Sequence, residues 1–539
     1  MKKIYIVLSL IFLLATSCSD FLDTFPKDAL SPSTTWQTED DAEKFLIGLY
    51  NNWLWGEEFF YLDCASDIGF NFHTHEGWRQ IGNGTLNASN PGSSFYAFST
   101  IRRVITFLEN VENVPFTDEA KKRDMIGQAK TIRAYNYLKM NFWYGGVPII
   151  ESYADADEAK VPRNSEAEVK EYIYKEIDEA IGYLEVRPNS DKGRVGKATA
   201  LAVKMRSALY WGDNQRALDA AREIRDLNVY ELDSDYANQF TLAGKGSPEI
   251  ILSVQRIKNL ASEWIVTIPN NADGGWSSMV PTQNLIDLYE MSNGLTKEEA
   301  GSGYDPVHPF AGRDPRMAMT VLYPGMDWES GYNGILNTLD RELPDGNSNS
   351  NFPEGANNAS KTALTWSKFV TPIEQYEKDY YTTSTQYIAI RYAEVLLSLA
   401  EAANEISGPT VEVYNTLDEL RTRVGMPVVD RAKYSTKETL RELIRRERSV
   451  ELAGEGLRRA DIVRWKDSTG KMVAETVLNK PLVRIAGTVD YSEPDPTKRA
   501  EVTGTVTIEE RKFASHNRYL PIPQGNIDNN PELDQNEGY

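Results

Sequence analysis

Residues 197–226 read KATALAVKMRSALYWGDNQRALDAAREIRD. Two helix-forming runs meet there at Gly212-Asp213, and the second run begins with Ala217-Leu218 and Ala220-Ala221. Glycine directly after a helical run is a common helix stop, and small side chains let two helices cross closely. The stretch therefore predicts two antiparallel helices joined by a very short turn.

Further helices are predicted on both sides of this hairpin. One helical face is formed by apolar and small residues at spacing i, i+3, i+4, i+7 and i+11, namely Thr131, Ala134, Tyr135, Leu138 and Phe142. That run stops at Tyr144-Gly145-Gly146-Val147-Pro148, where glycine and then proline end a helix. Other helical runs cover 166–186, 388–405, 411–424 and 436–453. The fold class predicted is mainly α, with tetratricopeptide-like (TPR-like) helical hairpins in an α-α superhelix.

The region between the helical blocks has a different composition. Residues 230–385 are dense in Gly, Pro, Asn and Asp, and their strand-like runs are short, such as 249–254. A second loop-rich stretch covers 466–515. Long loop-rich regions in compact proteins usually carry function. We therefore predict a signal segment at 1–17, an N-terminal helical region at 18–230, a loop-rich, strand-poor region with a functional role at 231–387 and a C-terminal region at 388–539.

Composition excludes several classes of protein. The chain has 539 residues, of which 41% are hydrophobic, and this supports large packed cores rather than disorder. Its 58 Lys and Arg against 79 Asp and Glu give a formal charge of −21. Nucleic-acid binding needs clustered positive charge, so this balance argues against it. The chain is rich in Tyr (28) and Trp (11).

The first eighteen residues predict the compartment. Lys2 and Lys3 precede a mostly apolar run from Ile4 to Ala15, which is shorter than the roughly 20 residues that span a bilayer. The run is typical of a signal peptide, and small residues follow it up to Cys18. This pattern resembles the lipobox of bacterial lipoproteins and favours a lipidated Cys18 over an ordinary cleavage site. Cys64, the other cysteine, lies among apolar neighbours and is predicted to be a small buried hydrophobe rather than a nucleophile.

Seven segments in sequence order carry a family resemblance. They are 133–148, 193–213, Arg313-Asp314-Pro315-Arg316, 391–397, 447–465, Arg518-Tyr519-Leu520-Pro521-Ile522-Pro523 and the ending 530–539. Together they resemble the SusD/RagB family of outer-membrane nutrient-uptake lipoproteins of the Bacteroidetes.

The resemblance implies a fold, a ligand and a partner. The fold would be four TPR-like helix pairs that support a variable glycan-binding region. The partner would be a TonB-dependent β-barrel transporter of the SusC type, which the lipoprotein caps. Asp20 and Asp23, close behind Cys18, are similar to the acidic positions in surface-export signals of this phylum. The resemblance therefore implies a lipid-anchored protein on the outer membrane that faces the medium.

Catalytic and metal-binding interpretations compete with this one. Glu447 and Glu451 lie four residues apart on the apolar face of a predicted helix, where they could be the acid and base of a glycoside hydrolase. Arginines crowd the same segment, which favours paired structural carboxylates. The run His73-Thr74-His75-Glu76 lacks a clear third metal ligand, and 345–349 lacks the later ligands of a calcium loop. We therefore expect no catalysis, no metal and no cofactor.

Tryptophans in polar loops indicate a function more clearly than the carboxylate pair or the metal motifs do. A sugar ring presents C–H patches that an indole plane can cover, and hydroxyls that polar side chains can bind. Trp78, Trp276 and Trp328 each lie beside glycine or acidic residues in predicted loops, and Arg79 and Asn83 are candidate partners for hydroxyls. These five residues are the predicted glycan-binding site.

The sequence thus predicts a cell-surface lipoprotein that binds a polysaccharide or oligosaccharide and delivers it to a SusC-like transporter. Two alternatives stay open at this point. The first is a glycoside hydrolase that uses Glu447 and Glu451. The second is an uptake component that binds peptide or protein in a TPR-like groove.

Overall fold

The computed structural model describes residues 36–51, 53–56, 58–155, 157–187, 191–260, 265–370 and 380–539. The predicted signal segment and Cys18 lie outside these ranges, so lipidation stays a prediction. Within them, no helix combines the length and the apolar character needed to cross a membrane.

Eight helices occupy the described part of the first 230 residues. They are α1 (Glu39–Leu49), α2 (Glu58–Cys64), α3 (Trp78–Asn83), α4 (Ser99–Val111), α5 (Glu119–Tyr144), α6 (Glu166–Tyr183), α7 (Lys197–Trp211) and α8 (Asn214–Asp226). Helix α5 packs against α6, and α7 packs against α8. These antiparallel pairs confirm the predicted TPR-like hairpins.

The turn between α7 and α8 has the geometry that its sequence indicates. Gly212 adopts a left-handed φ of 77°, which a residue without a Cβ reaches at little cost. The Asp213 carboxylate then accepts a hydrogen bond from the Arg216 N–H at 3.2 Å and caps the start of α8. Ala217, Ala220 and Ala221 are fully buried, so the small residues do lie where the helices cross.

The strands form four separate two-stranded antiparallel sheets within the described residues. β1 (Gly69–Asn71) pairs with β3 (Met279–Pro281), β2 (Ile250–Val254) with β7 (Tyr387–Arg391), β4 (Val321–Leu322) with β6 (Thr365–Trp366), and β8 (Leu482–Val489) with β9 (Ala500–Glu509). β5 (Asp327–Tyr332) forms one side of a further tight hairpin. The short helices α9 (Gln283–Leu288) and α10 (Arg316–Thr320) lie between these strands.

The C-terminal helices complete the superhelix. They are α11 (Tyr392–Ser407), α12 (Val411–Arg423), α13 (Lys437–Glu451), α14 (Arg458–Arg464), α15 (Val473–Val477) and α16 (Gln524–Asn529). Helix α11 packs against α8, α12 and α13, so the two helical blocks are joined directly. One large hydrophobic core runs from Ala42 to Leu533 and includes residues of both blocks and of the loop-rich region.

Two sequence predictions in this half are wrong. The helix predicted from residue 388 begins at Tyr392, because residues 387–391 form β7 and pair with the distant β2. The stretch 466–515, predicted to be loop-rich, contains the long hairpin β8–β9. Most of β9 is exposed on both faces, so its sequence lacks the apolar alternation that marks a half-buried strand.

Candidate functional site

The loop that carries Trp276 is held by a tight local turn. The Asn270 side chain accepts a hydrogen bond from the Asp273 N–H at 3.0 Å, and Gly274 follows with a φ of 85°. A Cβ on Gly275 would lie 2.2 Å from the Pro269 carbonyl oxygen, so only glycine fits there. The turn leaves Trp276 half-buried at the end of the loop.

Tyr381 lies beside Trp276 and is more exposed. The two ring centroids are 6.4 Å apart with planes at 71°, an edge-to-face contact. Tyr381 is 48% exposed, which is high for a large aromatic side chain. The pair therefore presents aromatic surface to solvent in the loop-rich region.

Trp328 lies on the β5 hairpin. The main-chain N–H of Trp328 donates to the Gly334 carbonyl oxygen at 2.8 Å. Asn333 and Gly334 both have left-handed φ values, of 53° and 75°. An Asn-Gly turn of this kind matches the twist of a two-residue hairpin. Trp328 is half-buried on the exposed hairpin that this turn closes.

Asp273 joins the two tryptophan loops. Its Oδ2 accepts the indole N–H of Trp328 at 2.8 Å, and its Oδ1 accepts the hydroxyl of Ser330. Trp328 and Ser330 are two residues apart in β5, so both project from the same face of the strand. Asp273 thus fixes the orientation of the Trp328 indole next to the Trp276 loop. We call Trp276, Trp328 and Tyr381 the aromatic platform.

Amide-rich loops border the aromatic platform. The Asn271 side chain donates to the Ser350 carbonyl oxygen at 2.8 Å, and the Ala272 N–H donates to Asn351 Oδ1 at 3.0 Å. At the far end of β5, Tyr332 makes an edge-to-face contact with Tyr491 at 5.5 Å between ring centroids. Ring planes bordered by hydrogen-bonding amide groups suit a polyhydroxylated ligand.

The structure contradicts the predicted role of Trp78. Its ring is only 2% exposed and stacks on Tyr61, with ring centroids 5.5 Å apart and planes at 14°. Phe95 packs on it as well, also at 5.5 Å. A sugar cannot stack on this ring, because the aromatic core already covers it. Trp78 is therefore a core residue and not a glycan contact.

Arg79 and Asn83 both bind a carboxylate of the protein itself. The Arg79 guanidinium pairs with Glu509 at 2.6 Å, and Asn83 Nδ2 donates to the same carboxylate at 3.2 Å. Both side chains thereby fasten α3 to the end of β9. Their role as partners of sugar hydroxyls therefore stays a prediction, for side chains that already have a partner within the protein.

The glutamates considered as a hydrolase pair belong to a buried ionic network. Its twelve members carry six positive and six negative charges: Arg316, Lys368, Arg391, Arg421, Arg423, Arg446, Glu249, Glu290, Asp314, Glu447, Glu451 and Glu455. We call it the central ionic network.

Neither glutamate of that pair can reach a substrate. Glu447 is 2% exposed and Glu451 is fully buried. Burial alone would raise the pKa of the Glu451 carboxyl, but the guanidinium groups of Arg423, Arg391 and Arg316 hold that pKa well below its usual range. Both carboxylates are thus ionised structural charges, as the neighbouring arginines suggest, and the hydrolase alternative built on them is wrong.

Two other sequence features have plain structural outcomes. Cys64 is buried, and burial raises the pKa of its thiol well above the ordinary value, which confirms it as an inert buried residue. The rings of His73 and His75 lie 5.6 Å apart. Within the described ranges, no group of three or more His, Cys, Asp or Glu side chains could hold a metal ion.

Sequence reasoning missed two residues of this region. Tyr381 lies in a Tyr-rich run, Tyr380-Tyr381, but no local pattern shows that it meets Trp276. Asp273 was one acidic neighbour among several, and its bond to Trp328 spans 55 positions of the chain. The Asn333-Gly334 pair is the local signal that could have located the hairpin carrying Trp328.

Comparison with known proteins agrees with this architecture. Residues 238–539 match the family model described as "SusD family", which is more than half of the chain. The chain belongs to the SusD family. Residues 20–209 match a second model, described as "Starch-binding associating with outer membrane". This membership agrees with the resemblance that the seven sequence segments carry.

Named relatives cover nearly the whole chain. SusD-like protein P25 of Formosa agariphila is 26% identical in an alignment of 499 positions, which covers 86% of this chain and 90% of the relative. The crystal structure of a SusD-like carbohydrate binding protein from Bacteroides fragilis is 26% identical and covers 93% of this chain and all of its own, with a TM-score of 0.79. A laminarin binding SusD-like protein shares the fold at 22% identity, with a TM-score of 0.67 over 94% of this chain and all of its own.

Proposed function

We propose that this SusD-family protein is a cell-surface glycan-binding lipoprotein. It captures an oligosaccharide or polysaccharide and delivers it to a SusC-like TonB-dependent transporter, without cleaving it. The aromatic platform is the observation that carries this proposal. The transporter, the lipid anchor at Cys18 and the orientation towards the medium rest on the family resemblance and on the N-terminal sequence.

The chemistry of the platform supports a sugar ligand. Indole and phenol rings cover the C–H faces of pyranose rings, while the surrounding Asn side chains and main-chain groups can bind hydroxyls. Stacking of this kind needs rings that are fixed in orientation before the ligand arrives, because ordering a side chain on binding costs free energy. The Asp273–Trp328 hydrogen bond supplies that fixation for one ring.

The names of similar proteins support the same ligand class. A SusD-like protein from Bacteroides fragilis, 26% identical to this chain, is described as carbohydrate binding. The N-terminal family model carries a description that mentions starch binding and association with the outer membrane. We extend carbohydrate binding and outer-membrane association, but not starch itself, to this chain.

Affinity electrophoresis against a panel of soluble glycans tests the proposal. Wild-type protein should be retarded by at least one glycan, and the variant Trp276→Ala/Trp328→Ala/Tyr381→Ala should not. The matched control is Trp211→Ala, which removes a half-buried indole at the end of α7, in the helical block. Circular dichroism confirms that each variant is folded.

Three outcomes would contradict the proposal. If wild type and triple variant bind a glycan equally well, the platform is not the binding site. If no glycan is retained but a peptide pool is, the peptide-binding alternative replaces the proposed function. Release of shorter sugars from a bound glycan would contradict the absence of catalysis.

A further inference from the structure

We infer that a pocket between the two helical blocks binds a small neutral molecule that is mostly apolar and carries one oxygen function, such as an alcohol, a phenol or a ketone. The pocket has a volume of about 130 Å³ and is lined by residues of α2, α5, α7, α13 and α14. The residues that line it do not include Trp276, Trp328 or Tyr381. The inference therefore goes beyond the proposed function and does not rest on it. We call this space the interblock pocket.

The walls of the interblock pocket are mostly hydrocarbon. Leu138 and Phe142 of α5 line it together with Leu209 of α7, and Leu62 and Leu457 line it from the side of α2 and α14. Apolar ligand surface is stabilised against such walls, because it is removed from water. A dry apolar cavity of about 150 Å³ takes up benzene, so a pocket of this size suits a ligand of about six to eight non-hydrogen atoms. A hexose is larger and too polar for it.

Two polar groups that line the pocket have no hydrogen-bond partner. Trp143 is only 1% exposed, yet none of the described residues accepts a hydrogen bond from its indole N–H. Its ring is held in place by Phe95, which stacks on it at 5.2 Å between ring centroids. The hydroxyl of the half-buried Tyr135 likewise makes no hydrogen bond to any residue that the structure describes. A covered polar group without a partner costs free energy, which a ligand oxygen would recover.

These two groups determine which oxygen function fits. The indole N–H of Trp143 only donates, so the ligand has to present an acceptor to it. Burial raises the pKa of Tyr135 to about 12, so its hydroxyl stays protonated and can donate or accept. An alcohol, phenol or ketone oxygen can accept from either group, whereas a pure hydrocarbon leaves both unsatisfied.

The charges around the pocket favour a neutral ligand. Every charged side chain that lines it belongs to an ion pair with an N–O distance of 2.5 to 2.7 Å, and the pairs are Lys139–Glu58, Arg206–Glu394, Arg448–Asp461 and Arg464–Asp461. A charged ligand would have to break one of these pairs or remain unpaired between apolar walls. Both alternatives are costly, so the pocket should reject ions.

The position of the pocket gives its ligand a structural effect. Helix α14 packs against both α2 and α7, so the pocket lies where the C-terminal helices meet the N-terminal ones. A ligand there would contact both helical blocks and would bind only the folded protein. Binding should therefore stabilise the fold by mass action.

Calorimetric titration and saturation-transfer NMR with four matched probes test the inference. Phenol and cyclohexanol should bind with a Kd at or below about 1 mM. Toluene has the size of phenol but no oxygen, and it should bind about tenfold more weakly because the two polar groups stay unsatisfied. Cyclohexylammonium has the shape of cyclohexanol but carries a charge, and it should not bind measurably.

Three variants locate the site. Tyr135→Phe removes one polar group and keeps the ring, so it should weaken phenol binding about three- to tenfold and change toluene binding by less than about twofold. The matched control is Tyr174→Phe, because the Tyr174 hydroxyl is also buried without a partner among the described residues but does not line the pocket. Ala460→Leu adds a larger side chain to the pocket wall and should weaken all binding at least tenfold. Circular dichroism checks that each variant is folded.

Several results would overturn the inference. Wild-type protein that binds none of the four probes saturably has no such site. Equal phenol affinity in wild type and in a folded Ala460→Leu variant means that phenol binds elsewhere, and if that variant does not fold, unchanged phenol affinity in Tyr135→Phe decides against the site. Equal affinity for phenol and toluene, or tight binding of cyclohexylammonium, overturns the selection for neutral oxygen-containing ligands. Each of these results leaves glycan binding by the aromatic platform untouched, so the proposed function is tested separately.

Discussion

Glu451→Gln probes the central ionic network and the rejected hydrolase alternative in one experiment. The Glu451 carboxylate accepts hydrogen bonds from Arg423, from Arg391 at 2.8 Å and from Arg316 at 3.0 Å. The amide keeps the size of the side chain but removes its charge, so a balanced network of six positive and six negative charges acquires one uncompensated positive charge.

The expected cost follows from the burial of these groups. Removing one partner of a buried ion pair typically destabilises a protein by about 3–5 kcal/mol. For roughly 500 residues that unfold as one unit, an entropy of unfolding near 1 kcal/mol/K converts this to a fall in Tm of about 3–5 °C. Differential scanning calorimetry and urea unfolding of the variant measure both quantities.

A matched surface variant gives the baseline for this measurement. Glu112→Gln removes the partner of Lys122 in an ion pair where the Glu112 side chain is 64% exposed, and it should change stability by less than about 0.5 kcal/mol. If Glu451→Gln is as mild as Glu112→Gln, the ionic network does not stabilise the fold as argued. Loss of a glycan-cleaving activity in a stable Glu451→Gln variant would restore the hydrolase alternative.

Three further variants separate core, platform and pH effects. Trp78→Ala should lower the free energy of unfolding by about 3–5 kcal/mol, because its ring is buried. The folded fraction of this variant should keep its glycan affinity, and a reduced affinity without destabilisation would contradict this. Asp273→Ala should release the Trp328 indole and weaken glycan binding about three- to tenfold in calorimetric titration, and unchanged affinity would contradict it. Burial raises the pKa of Asp63 to about 7, whereas the unfolded carboxyl titrates near its usual value of about 4. Since the folded state then keeps a proton that the unfolded state has lost, stability falls as pH rises from about 4 to about 7. Urea unfolding at pH 4.5 and 7.5 should show a smaller fall in Asp63→Asn, and an equal fall in both proteins would contradict the assignment.

Local sequence signals predicted the helical part of the fold well. Gly212 and Asp213 end one helix and cap the next through contacts within three residues, so the hairpin can be inferred without knowledge of the rest of the chain. Gly145 also ends a helix, α5, with a positive φ of 70°. Repeated helical hairpins with such turns are enough to establish a mainly α fold.

Non-local contacts explain where the sequence predictions were wrong. The sequence of residues 387–391 does not distinguish a strand from the first turn of a helix. Its partner strand β2 lies more than 130 positions away in the chain. Glycines around Trp78 suggest an exposed loop, but Tyr61 and Phe95 cover the ring from other segments. A tryptophan's burial depends on such tertiary partners more than on its neighbours in sequence.

The same reasoning applies to the candidate site. Trp276 and Trp328 were predicted separately from their polar loops, and neither loop indicates that the other is near. Asp273 joins the Trp328 hairpin to the Trp276 loop, and Tyr381 contacts Trp276, through contacts across 55 and 105 positions. Such an arrangement is visible only in three dimensions, whereas the family resemblance indicates only that some loops bind glycan.

A crystal structure of the protein with its best-binding oligosaccharide tests the central claim most directly. The account predicts a sugar ring stacked on Trp276, Trp328 or Tyr381, with hydroxyls bound by the neighbouring amides, while Trp78 stays covered by Tyr61 and Phe95. An oligosaccharide bound elsewhere, with the aromatic platform empty, would contradict it.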